Sequence, residues 1–199
     1  MQSAALNRFT EKSAKIVSMI FIPPNVVLWS MVFMGYLREA ERDRFIYSSV
    51  TAFLFGFVLP IVFFLVLMKQ KKISDIHARI KEERTTPYLF GIALLIVGLI
   101  LLLNEGVNHD TAALWISYLA CNIVIIVVNK FWKISAHATG VGVMLGAFTA
   151  ISLTYTLPLL IAVLLVAWSR IYLKCHTFAQ VTAGSILGAA VAFINIKFF

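Results

Sequence analysis

Three of the four histidines, His77, His137 and His176, stand beside lysines or arginines at the edges of long apolar runs. His176 closes the stretch Ser169-Arg170-Ile171-Tyr172-Leu173-Lys174-Cys175-His176, and Gln180 follows four residues later. No aspartate or glutamate occurs after Asp110. Ionisable groups at membrane depth are costly and tend to mark sites or pathways. In the stretch Lys133 to Gly140, Ser135 is placed to cap a helix. Free N–H groups and the positive dipole end there form an anion site, which His137 would face, with Ala136 and Gly140 keeping the backbone accessible. A plain helix cap accounts for the same residues. His77, Lys81 and Arg84 fall at i, i+4 and i+7, one face of a helix. That cationic stripe suits a bound anion, or the anionic head groups of a lipid surface.

The elements that must position these groups are membrane helices. Of 199 residues, 61% are hydrophobic and 13% charged, against roughly 25% charged in a soluble domain. Six stretches carry no Asp, Glu, Lys or Arg: Ile16 to Leu37, Phe45 to Met68, Thr85 to Asn104, Thr111 to Asn129, Ile134 to Ser169 and Thr177 to Ile196. A bilayer core about 30 Å thick takes about 20 apolar residues per helix, so the 36-residue stretch holds two spans and the others one each. The expectation is an all-α, polytopic transmembrane bundle of six to seven spans in one domain, 1–199. Pro23 and Pro24 should kink the first segment or make it partly re-entrant. The residues of the polar stretch from Lys69 to Pro87 permit a helix lying at the interface before Pro87 stops it. Runs such as Gly140 to Ala147 and Ala183 to Ala190 permit close helix contact. Cys121 and Cys175 fall at different depths and read as free thiols. The first apolar run is too long for a signal peptide, so the N-terminus is kept in the mature chain.

The net charge of +8 does not point to nucleic acid, because of where it lies. With seven spans, the N-terminus and the loops after spans two, four and six share one side, which carries thirteen of the seventeen lysines and arginines. Either the positive-inside rule or an anion site produces that bias.

Taken together, the three basic loops resemble the type-2 phosphatidic acid phosphatase superfamily, the integral-membrane lipid phosphate phosphatases. The third signature is Ser169-Arg170, five residues, His176, three residues and Gln180, the second is Ser135-Ala136-His137, and the first is a looser Lys81 to Pro87. The likeness covers Lys69 to about Gly184 and implies active-site loops on one membrane face. It implies His176 as the nucleophile that takes the phosphoryl group and His137 as the general acid for the leaving alkoxide. Lys81, Arg84, Ser135, Ala136 and Arg170 would then cradle the phosphoryl oxygens, with His77 and Asp75 as accessories. No metal or other cofactor is implied. The partners would be a lipid phosphate substrate and membrane lipids, in a bacterial-type cytoplasmic membrane. Relatives mostly place the site outside the cytoplasm, whereas the charge bias points inward.

The chain departs from the family pattern at three places. Arg84 is followed by Thr85 rather than proline, Ala136 replaces glycine, and Gln180 stands where the family has the aspartate that orients the nucleophile. In an analogous triad, exchanging that aspartate for its amide lowers turnover by roughly 10⁴ through the wrong tautomer. The expectation is therefore a slowed enzyme, a carboxylate lent by Asp75, Glu82 or Glu83, or a silent homologue that only binds anionic lipids.

Overall fold

The structure is a computed structural model and describes residues 2–76, 80 and 82–198, with side chains from residue 8 onward. Among these residues there are eight helices and no strand. We number them α1 (Gln2–Ile20), α2 (Pro23–Arg38), α3 (Arg42–Lys69), α4 (Thr85–Glu105), α5 (His109–Asn129), α6 (Ala136–Ile151), α7 (Thr156–Tyr172) and α8 (Phe178–Phe198). Helices α3, α4, α5, α7 and α8, two of them with a short 3₁₀ turn in front, are long and apolar enough to cross a membrane. The pair α1–α2, bent by 54°, is a sixth if taken as one span. Apolar side chains cover the outward faces, among them Val62, Leu65, Ile100, Leu103, Leu164 and Ile186, as expected where the solvent is hydrocarbon.

Local chemistry explains where the helices bend and stop. The break between α1 and α2 falls at Phe21 and Ile22, before Pro23 and Pro24, which open α2 where their missing N–H groups cost nothing. Inside α3, residues Ala52–Val58 form a π-helical segment just ahead of Pro60, whose ring removes a donor from the regular ladder. Helices α3 and α7 end alike. Lys71 and Lys174 adopt left-handed φ values of 59° and 54°, and the next residue returns its N–H to the third carbonyl from the end, Leu67 in α3 and Arg170 in α7. This is the turn usually made by glycine.

The centre of the bundle is α6. Its sixteen residues span about 24 Å, less than a bilayer core, yet nine of them are buried. It packs most closely on α8, where glycines replace side chains at the contact. A Cβ on Gly146 would collide with the Ala189 carbonyl oxygen, and one on Gly188 with that of Thr139. Beside this pair, Trp115 of α5 is fully buried and donates to Leu95 O at 2.7 Å, its indole filling the space left by Gly98. Ser30 and Tyr118 share a hydrogen bond of 2.8 Å across α2 and α5. Such polar contacts between membrane helices contribute about 0.6 kcal/mol each.

One sequence expectation fails. The stretch from Lys69 to Pro87 is not an interfacial helix among the described residues: it runs through turns and bends after Lys69, and a single 3₁₀ turn, Glu82–Arg84, leads into α4. Pro87 lies in the first turn of α4 instead of stopping a helix, a position where its ring has no preceding carbonyl to strike. The short α6 likewise falls below spanning length, because a helix enclosed by other helices need not reach both membrane faces.

Candidate functional site

The N-termini of α6 and α8 lie side by side at one end of the bundle. Ser135 caps α6: its Oγ accepts from Ala138 N at 3.4 Å, and its own N–H donates to Gln180 O in α8 at 3.4 Å. Gly184 lets the two helices approach, since a Cβ there would stand 2.8 Å from Ser135 O. Ser135 is fully buried, Ala136 and His137 follow in the first helical turn, half-buried, and His137 Nε2 is shielded from solvent.

The loop after α7 carries the second group. The left-handed turn at Lys174 folds the chain back on itself, so the N–H groups of Cys175 and His176 both donate to Arg170 O, at 3.0 and 3.3 Å. Thus the five residues between Arg170 and His176 amount to one helix-terminating turn. Arg170 is 1% exposed and His176 7%. His176 Nδ1 lies 3.1 Å from Gln180 Oε1, which also accepts from Thr177 N at 3.1 Å. The backbone N–H fixes which end of the amide faces the ring: an acceptor oxygen must stand there, so Nδ1 carries the proton and Nε2 keeps its lone pair.

Two further cations reach this histidine from other loops. Arg84, 6% exposed, donates from a guanidinium nitrogen to Ile134 O at 3.4 Å, joining the start of α4 to the entrance of α6. Lys133 donates from Nζ to Cys175 O at 2.8 Å, joining that entrance to the loop of His176. Burial, and then the nearby charges of Arg84, Arg170 and Lys133, push the His176 pKa from 6.5 down to about 3, against a small opposing effect of the Gln180 hydrogen bond. His176 is therefore a neutral imidazole at neutral pH. Burial, with Arg84 and Arg170 adding to it, also lowers the pKa of Lys133, opposed by Cys175 and Asp75.

The structure thus brings together Arg84, Ser135, Ala136, Arg170, His176 and Gln180 among the residues singled out in the sequence. His77 and Lys81 lie outside the described residues. Asp75 acts on Lys133, and Glu83 accepts from Ser74 N and Oγ at 2.9 and 3.0 Å. The charges that bear on the His176 pKa, those of Arg84, Arg170 and Lys133, are positive. Lys133 was counted in the sequence only as part of the basic bias. Its signal is its place two residues before Ser135-Ala136-His137. Next to Arg84, a cavity of about 260 Å³ is lined by Glu82, Thr85, Tyr88, Ile126, Asn129 and Lys130. No motif marked it, because its walls come from the start of one helix and the end of the next. Three cations around a neutral imidazole, with a capped helix N-terminus alongside, can hold a tetrahedral anion and present it to a nitrogen nucleophile. The chain matches none of the family models, curated proteins or solved structures with which it was compared.

Proposed function

We propose that the protein is a membrane lipid phosphatase, hydrolysing a phosphomonoester or diphosphate on a lipid such as phosphatidate, phosphatidylglycerophosphate or a prenyl diphosphate. The observation that carries this reading is the convergence of Arg84, Lys133 and Arg170, from three separate segments of the chain, on the neutral imidazole of His176. In the proposed reaction, Nε2 of His176 attacks phosphorus while the bond to the lipid oxygen breaks, and His137 gives that oxygen its proton. Water then attacks the phosphohistidine with His137 as base, and inorganic phosphate leaves. The cations hold the equatorial oxygens as charge builds on them, where a single well-placed donor is worth about 10²–10³ in turnover. The membrane helices deliver the lipid tail to the site, and the cavity beside Arg84 offers room for a polar part of the substrate.

Gln180 fits this scheme in one respect and limits it in another. Its oxygen holds Nδ1–H, the tautomer that leaves Nε2 reactive. A neutral amide gives less stabilisation than a carboxylate to the imidazolium that forms on phosphorylation. That limitation favours a second reading, a catalytically weak or silent homologue that binds anionic lipids through the same cations. Purified protein in detergent, given a panel of lipid phosphates with chelator present, separates the two. Phosphate release that His176→Ala lowers to background is the expected result. No release by the wild type on any lipid of the panel leaves the binding protein.

A further inference from the structure

Ser169 and Arg170 are tied to the far end of the sequence. Ser169 Oγ donates to Ala14 O at 2.7 Å, and a terminal guanidinium nitrogen of Arg170 donates to Ser18 Oγ at 2.7 Å. Ala14 and Ser18 lie four residues apart on one face of α1, both buried, while Lys12, Lys15 and Met19 on other faces are exposed. Ala14 packs against Leu173 and Cys175, the turn that leads to His176. The direction of α1 is itself built in. Asn25, just past the break, donates from Nδ2 to Met19 O and Ile20 O at 3.1 and 3.0 Å, satisfying carbonyls that the end of a helix leaves open. Phe21 meets Trp29 edge-on across the same break, their ring centroids 6.3 Å apart. A helix aimed in this way brings one hydroxyl to one buried guanidinium.

We propose that Ser18, on the N-terminal helix, is a positioning residue for Arg170, so that α1 is a wall of the phosphate site. This rests on the lipid phosphatase reading and deepens it. A guanidinium is a planar fork, and it recognises a phosphate best when the plane is already set. Accepting one of its N–H bonds sets that plane, and the bond from Ser169 to Ala14 holds the backbone from which the arginine extends. Phosphate is then met by a fixed donor array, at no cost for ordering a long side chain at the moment of binding.

The test is a double-mutant cycle on the full chain in detergent, read as kcat and KM on a short-chain phosphatidate and as competitive inhibition by inorganic phosphate. Ser18→Ala is expected to lower kcat/KM about tenfold, chiefly through KM, and to weaken phosphate inhibition to match, with Ser18→Thr close to wild type. In an Arg170→Lys background the same Ser18→Ala change is expected to cost less than twofold, because coupled residues are not additive. Equal losses in both backgrounds, or no loss in the arginine background, overturn the proposal. Should Ser18→Ala fail to fold, Ser18→Cys keeps the shape with a much weaker acceptor and is expected to give the same tenfold loss. If the wild type releases no phosphate, calorimetric binding of inorganic phosphate carries the test. A tenfold weaker Kd in Ser18→Ala then supports the role of Ser18 although the phosphatase reading has failed, and an unchanged Kd, or no binding by the wild type, overturns it.

Discussion

Where α2 meets α5, Arg38 Nε lies 2.6 Å from Asp110, and the Glu39 carboxylate accepts from Asn108 N at 2.9 and 3.1 Å. Arg44 and Glu41, 3.5 Å apart, add a further pair nearby. At the other end of α5, about 30 Å away, Arg84, Lys133 and Arg170 crowd one imidazole and push its pKa far down. The first arrangement lowers the energy of the resting fold, because Arg38 and Arg44 meet carboxylates and Glu39 meets a backbone N–H. The second gathers three cations near one ring and raises the cost of adding a proton to it. Pairing of this kind clamps the fold, whereas cations gathered around a ring whose pKa they shift make a candidate site. The basic bias in the sequence belongs to the second end alone.

Removing one member of each arrangement should break the comparison most clearly. Lys133→Met is expected to lower kcat/KM on a lipid phosphate by about 10²-fold, with Lys133→Arg recovering part of it and the melting temperature little changed. A melting temperature that collapses along with activity would make Lys133 a clamp like Arg38.

Adding a carboxylate at the site should sharpen the contrast. Gln180→Glu keeps the shape and supplies the charge missing beside His176, so turnover is expected to rise about tenfold. The pH profile gives the finer reading. Since kcat/KM reports the free enzyme, the acid limb due to His176 is expected near pH 3 in the wild type and should move up towards the ordinary imidazole range in Gln180→Glu. The sign for stability follows from the same shift. An unfolded chain protonates this histidine below about 6.5, whereas the folded protein resists until about 3. Stability is therefore full above 6.5 and is lost as pH falls through that window. An acid limb at the same pH in both proteins would show that His176 does not set it.

The smallest effect belongs to the paired end. Arg38→Ala removes a bridge whose arginine side chain is 39% exposed, so about 0.5–1 kcal/mol of stability should be lost, measured by thermal unfolding in detergent, with phosphate release unchanged. A fall in activity comparable to that of Lys133→Met would mean that the two ends are coupled through α5.

Helix positions were largely legible in the sequence, because a membrane-spanning helix has to exclude charge over its whole length and the charge-free runs show it. The interfacial helix permitted over Lys69 to Pro87 is not found among the described residues, because amphipathic spacing permits a helix without requiring one, and Pro87 is as well suited to a first turn as to a stop. Of the site, Ser135-Ala136-His137 and Arg170 to His176 were visible as local patterns. The roles of Lys133 and Ser18 were not, since each gains its meaning from a partner 42 or 152 residues away.

Charge exclusion and short-range spacing by themselves determined that this chain is a helical membrane bundle with its cations gathered at one end, because those features are properties of single segments in a bilayer. Only the tertiary structure decided which cations meet His176, which nitrogen of that ring carries the proton, and that the N-terminal helix closes on Arg170. Those outcomes depend on how α6 and α8 pack through their glycines and on the angle at Pro23, and packing angles are set by the whole assembly of helices rather than by any one of them.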